Sequence, residues 1–262
     1  MNNRITNKFA ELKKNEKKAL ISFITGGDPD IETTEKLILA MEEAGASIIE
    51  IGIPFSDPIA EGIVIQEANS RALSGGCTVD KLFDMVKRLR GKTNIPLLFL
   101  TYANPIYAYG KESFMKKCKE VGIDGIIVPD VPFEEKDEFF DVCNKYDIML
   151  ISLIAPTSGE RAEEIAREAQ GFLYCVSSLG VTGMRSEIST NIAELIAQVK
   201  NVSDVPCAVG FGISTPEQAH AMSEISDGII VGSAIVKLIA QSGRDSVTPV
   251  KEFVSKIKNS IK

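Results

Sequence analysis

A chain of 262 residues with 44% hydrophobic and only 6% aromatic content can bury a substantial aliphatic core, in one large domain or two small ones. Its formal net charge of −7 leaves no basic field to hold nucleic acid or an anionic membrane, so any phosphorylated ligand must be held locally by backbone amides or a few cations. Five dispersed cysteines without a C-x-x-C pair point to reduced thiols and a cytoplasmic setting; the start lacks a signal-peptide pattern, and no apolar run approaches the roughly 18 residues of a membrane helix.

In chain order, Arg4 to Lys14 carries Ile5, Phe9 and Leu12 on one face, a short amphipathic helix able to close one end of a barrel. Short β-rich runs then alternate with longer helical ones. Strands are predicted at 20–25, 48–53, 97–101, 125–128, 149–154, 172–177, 207–209 and 228–231. Helices are predicted at 32–44, 64–73, 79–89, 111–121, 134–146, 159–169, 191–199, 216–224 and 249–261. Thr215-Pro216-Glu217 pairs an N-cap type with a first-turn proline, Asp80 and Ser158-Gly159-Glu160 mark other starts, and Gly45, Gly91 and Gly122 are placed as left-handed caps. His220, the single histidine, reads as an ordinary residue of the helix after Pro216 and excludes His-rich metal sites.

The strands are mostly continuous apolar runs, as expected where both faces are covered. Eight strand-helix units in about 250 residues make a TIM barrel the leading fold, α/β, with residues 1–262 as a single domain preceded by the extra N-terminal helix. A doubly wound open sheet is the second architecture.

Within the second strand, Ile48-Ile49-Glu50-Ile51-Gly52-Ile53 carries one carboxylate into an apolar run, where burial favours a raised pKa and a proton-carrying role. The loop Pro54-Phe55-Ser56-Asp57-Pro58 leads to a second acid, Glu61, in unlike surroundings, and such a pair can divide acid/base and electrostatic work. The same residues also fit an interior Glu50 satisfied by a partner and a solvated Glu61 at a helix start. Glycines and polar residues cluster after strands, at Gly26-Gly27-Asp28, Tyr102-Ala103-Asn104-Pro105, Gly180-Val181-Thr182-Gly183, Gly210-Phe211-Gly212 and Gly232-Ser233, and the last three clusters suggest a phosphate cradle.

Glu50-Ile51-Gly52-Ile53-Pro54-Phe55-Ser56-Asp57-Pro58-Ile59-Ala60, together with those loop motifs and Ser233-Ala234-Ile235-Val236, resembles the tryptophan synthase alpha subunits over nearly the whole chain. The resemblance implies a carbon-carbon lyase of tryptophan biosynthesis that cleaves indole-3-glycerol phosphate to indole and glyceraldehyde 3-phosphate. It implies no cofactor or metal in this chain, and an α2β2 heterotetramer whose beta subunit takes the indole and carries pyridoxal phosphate. Glu50 falls on the family's acid/base glutamate and Glu61 on its second catalytic carboxylate. Phe23, Leu100, Tyr102, Ile127, Leu153 and Tyr174 fall on the indole pocket, and Thr182 on the closing loop that meets the second carboxylate. Gly183, Phe211, Gly212, Gly232 and Ser233 fall on the phosphate site, and Asp57 on the contact with the beta subunit. Family members commonly carry Asp-Gly-Pro where this chain reads Glu61-Gly62-Ile63. That departure keeps two further readings open: a free-standing lyase, or a catalytically weak subunit that binds the phosphate ligand and activates a partner.

Overall fold

The computed structural model describes residues 3–176, 185–210 and 212–261. Its strands are β1 (Ala19–Thr25), β2 (Ile48–Gly52), β3 (Leu97–Leu100), β4 (Gly125–Ile127), β5 (Met149–Leu150), β6 (Ser152–Ile154), β7 (Leu173–Val176), β8 (Cys207–Gly210) and β9 (Gly228–Val231). All pairings are parallel, in the order β5-β4-β3-β2-β1-β9-β8-β7-β6. The predicted run 149–154 is thus two segments. Leu150 pairs with Ile126 of β4, Ser152 pairs with Leu173 of β7, and the N–H of Ile151 between them donates to the Ile126 carbonyl at 2.9 Å. One continuous run therefore joins both ends of the sheet, and the predicted eight strands make a TIM barrel.

Around it lie α1 (Arg4–Lys14), α2 (Ile31–Glu43), α3 (Ile63–Ser74), α4 (Val79–Leu89), α5 (Ala103–Tyr109), α6 (Lys111–Val121), α7 (Asp137–Lys145), α8 (Arg161–Glu168), α9 (Arg185–Lys200), α10 (Pro216–Ile225), α11 (Ser233–Ser242) and α12 (Val247–Ser260). Alternate strand residues explain the apolar runs. Ile21, Ile48, Leu98, Ile127, Ala208 and Ile230 form the barrel interior, while Leu20, Ile49, Leu97, Phe99 and Ile126 join the layer packed by helices.

Helix α1 closes the N-terminal end of the barrel. The Asn3 side chain caps it by accepting the Ile5 N–H at 2.9 Å, and Ile5, Phe9 and Leu12 enter the interior cluster. Asp124, at the entry to β4, receives Arg4 and Arg90 at 2.8 Å on its two oxygens and fastens the plug to the barrel wall. Phe9 packs on Phe172 with ring centroids 5.6 Å apart. Phe9→Ala is expected to destabilise the fold by about 3 kcal/mol, read as a lower urea midpoint with an unchanged denaturant slope.

Four local readings change. Residues 103–109, expected as loop, are helix α5, and α11, which lies outside the predicted helices, is 10 residues long. Arg90 ends α4 in the right-handed region and Gly91 is not left-handed, whereas Gly45 and Gly122 are, at φ +100° and +90°. After α4 the chain stays close because the Lys92 and Thr93 N–H groups both donate to the Leu89 carbonyl, so no left-handed residue is required. Residues 133–135 form a 3-10 turn, which delays α7 to Asp137. Thr215 and Gln218 form the reciprocal cap of α10, on which His220 lies exposed. All five cysteines are buried and free, and among the described residues no helix is long and apolar enough to cross a membrane.

Candidate active site

A cavity of about 470 Å³ opens at the C-terminal ends of the strands. Phe23 of β1, Leu100 of β3, Leu153 of β6 and Tyr174 of β7 form its walls; Glu61 and Gly62 stand on one side, and Gly212, Gly232 and Ser233 on another. The strand-end rule for barrels places chemistry at this face, because there the loops differ while the strands hold them rigidly.

Glu50 lies beneath the cavity at the centre of β2, in register with Phe23 on β1 and Leu98 on β3. It is wholly buried, and neither carboxylate oxygen has a hydrogen-bond partner among the described residues. Among the described residues, then, no partner satisfies this interior glutamate. Burial alone pushes its pKa up to about 8, so the carboxyl is protonated at neutral pH. Tyr174 has its ionisation suppressed, first by burial and then by the charge Glu50 would carry, so the phenol lies within electrostatic reach of that carboxyl.

Glu61 immediately precedes Gly62, the N-cap of α3, yet its side chain turns away from solvent toward Tyr102. The Tyr102 hydroxyl donates to Glu61 Oε2 and accepts the Ala60 N–H at 2.9 Å, and its ring rests on Phe55 with centroids 5.4 Å apart. Burial raises the Glu61 pKa, the Tyr102 hydrogen bond opposes that rise, and the negative charge of Asp130 adds to it. The two acids thus occupy unlike environments, one wholly buried, the other at the cavity wall and oriented by a phenol.

Beside α3, across β1 in the barrel wall, α11 starts at Ser233 with Gly232 as N-cap, and no described side chain caps it, so its first amides point out of the helix. Gly212 has φ +57°, and no atom lies within 4 Å of where its Cβ would be, so it is a conformational glycine at an open place. Gly210 is a glycine of close approach, because a Cβ there would lie 2.6 Å from the Tyr174 ring. Gly210→Ala is expected to displace that ring into the cavity and raise KM about tenfold or more, with far-UV circular dichroism unchanged.

Of the remaining expected site residues, Ile127 is fully buried in register with Leu100 and backs the wall rather than lining it. Asp57 is exposed on the loop after β2, beside Ile59 and Ile63, which are 80% and 66% exposed. Thr182, Gly183 and Phe211 lie outside the described residues. The sequence reading passed over Asp130. It follows β4 in Pro129-Asp130-Val131-Pro132, and the strand-end rule applied to the fourth strand was the signal that could have found it. Among the described residues no group of three or more His, Cys, Asp or Glu is placed to hold a metal ion.

Fold and site together define a (β/α)8-barrel enzyme with its chemistry at the strand C-terminal face. Residues 9–262 match the family described as tryptophan synthase alpha chain. A relative of that description from Caldanaerobacter subterraneus subsp. tengcongensis is 50% identical over 254 residues, covering 96% of this chain and 97% of its own. The crystal structure of tryptophan synthase subunit alpha from Legionella pneumophila str. Paris superposes with TM-score 0.91 at 37% identity, over 99% of this chain and 98% of that one. A chain in the crystal structure of the tryptophan synthase complex from Pyrococcus furiosus gives TM-score 0.83 at 37% identity, over 92% and 98%. The chain belongs to the tryptophan synthase alpha family, whose members are lyases that cleave indole-3-glycerol phosphate.

Proposed function

We propose that the chain, acting as one barrel domain, performs this retro-aldol cleavage with Glu50 as acid/base and Glu61 as the carboxylate that holds the indole N–H. The observation that carries the reading is Glu50, a wholly buried carboxyl without a hydrogen-bond partner among the described residues, under an apolar cavity. Protonated Glu50 delivers its proton to indole C3, and positive charge develops on the ring nitrogen. Glu61, ionised and close by, offsets that charge. The Glu50 carboxylate then takes the glycerol hydroxyl proton, the carbon-carbon bond breaks, and its electron pair returns to the ring to leave indole and the aldehyde phosphate. One proton is given and one is taken back, so Glu50 ends as it began.

Phe23, Leu100, Leu153 and Tyr174 supply apolar surface for the indole. The glycines and free amides around Gly212, Gly232 and Ser233 suit a phosphate, with Thr182, Gly183 and Phe211 assigned by resemblance alone. Indole passes to a beta subunit, which holds the pyridoxal phosphate, in an α2β2 assembly docked on the loop around Asp57. The Pyrococcus furiosus neighbour, a tryptophan synthase complex, and the exposed Ile59 and Ile63 support this docking. The free buried cysteines support a cytoplasmic setting. The test is indole release from indole-3-glycerol phosphate with and without a beta subunit. Turnover that rises with the partner is expected; substrate binding without any indole release would overturn the lyase reading.

A further inference from the structure

We propose that Asp130 is a positioning residue for this reaction, one that holds the start of α5 so that the Tyr102 hydroxyl engages Glu61 Oε2 and leaves Oε1 for the substrate. The inference rests on the reading of Glu61 above. Tyr102 is the N-cap of α5, but its side chain makes no cap hydrogen bond. The first N–H of that helix, on Ala103, is instead taken by Asp130, whose two carboxylate oxygens accept it at 3.0 and 3.2 Å. The cap is thus lent by the loop after β4 to the helix after β3, and it fixes the backbone from which Tyr102 extends. From there the phenol reaches the loop after β2, donating to Glu61 and accepting from Ala60. Three strand-end loops are tied in one line, ending on the second candidate carboxylate.

The line also has a charge consequence. Two charged or titratable groups act on the Glu61 carboxyl: Tyr102, from the start of α5, donates to its ionised form, and Asp130, from the loop after β4, repels that form. Gln66 of α3 meets only the Glu61 carbonyl, and among the described residues no cation pairs with Glu61. Burial raises the proton affinity of Glu61 first, and the two residues that set its position then adjust it with opposite signs, Tyr102 downward and Asp130 upward.

Substitutions separate these effects. Asp130→Asn keeps an oxygen that accepts the Ala103 N–H but loses the charge. The acid limb of kcat/KM for indole-3-glycerol phosphate cleavage is expected to move down by about half a pH unit, with the plateau rate held within about threefold. Tyr102→Phe removes the donor to Glu61, so its acid limb is expected to move up. Asp130→Ala loses cap and charge together and is expected to lower kcat about tenfold with little change in KM, a loss that Asn rescues. A purely structural Asp130 would move neither limb. An unmoved or upward-moving limb in Asp130→Asn overturns the proposal, and so does a full rate in a folded Asp130→Ala; if Asp130→Ala does not fold, the Asn profile decides alone. Glu61→Gln, assayed in parallel, separates the two levels of the argument. A full rate in Glu61→Gln sinks the reading of Glu61 itself, whereas a dead Glu61→Gln beside an unmoved Asp130→Asn sinks only the role of Asp130.

Discussion

Glu50→Gln is expected to lose indole release by about a thousandfold while becoming more stable than the parent at alkaline pH. The two effects share one cause. Gln matches the shape of Glu50 but can neither give nor take a proton, so C3 protonation and hydroxyl deprotonation are lost together. The stability gain follows from the raised pKa. Below about pH 4.5 the carboxyl is protonated in folded and unfolded chains alike, and it costs the fold no charge burial. Between that value and about 8 the unfolded chain releases the proton and the folded chain keeps it, so stability falls as pH rises and levels off above about 8. At about 1.4 kcal/mol for each pH unit of that interval, the span sets an upper bound near 5 kcal/mol. The unpartnered Gln amide gives some of this back, since it too is a buried polar group without partners. Urea midpoints of parent and variant should therefore lie close together near pH 5 and separate by about 2 kcal/mol or more near pH 8.5, with Gln the more stable. Equal midpoints at both pH values would show that Glu50 does not titrate in a dry site. In the parent, kcat should decline on the alkaline side as Glu50 loses the proton that C3 needs, in a limb near pH 8.

Glu61→Asp, which installs the shorter acid of the Asp-Gly-Pro pattern that the resemblance implies, is expected to lower kcat here by about tenfold to a hundredfold. One methylene less withdraws the carboxylate by about 1 Å, enough to break the contact with Tyr102 that sets its direction. Gly62 caps α3 at φ −76° and ψ 169°, and Ile63 occupies the first helical position, where proline would fit as well. Glu61→Asp combined with Ile63→Pro should then recover part of the loss, because the fixed φ restrains the loop that carries the acid. Steady-state kinetics with a beta subunit present would decide. A Glu61→Asp variant as fast as the parent would mean that Tyr102 does not place this carboxylate.

Much of the architecture was legible in the residues. The alternation of short apolar runs with longer amphipathic ones encodes strand and helix through their side-chain periods, and the eight predicted strands are all present. Ile5, Phe9 and Leu12 showed their common face at helical spacing, and a lone carboxylate in the run around Glu50 was visible as an anomaly of pattern. Less legible were features in which a local signal competes with a distant partner. Asn104-Pro105 looks like a loop, yet it opens α5, because Asp130 caps that helix from another loop and no sequence neighbour reveals it. Gly91 looks like a left-handed cap, yet the chain turns there by hydrogen bonds to the Arg88 and Leu89 carbonyls without a left-handed residue.

By itself, then, the sequence determined which segments are strands and helices, which face of each is apolar, and that two acids follow one another around the second strand end, since all of these depend on residues near in the chain. Only the tertiary structure decided that Glu50 has no hydrogen-bond partner among the described residues, that Glu61 turns to Tyr102 rather than to water, and that Asp130 caps the helix Tyr102 begins. Burial, desolvation and hydrogen-bond direction are properties of groups brought together from different strands, and barrel closure through the split run at Ile151 is what brings them together.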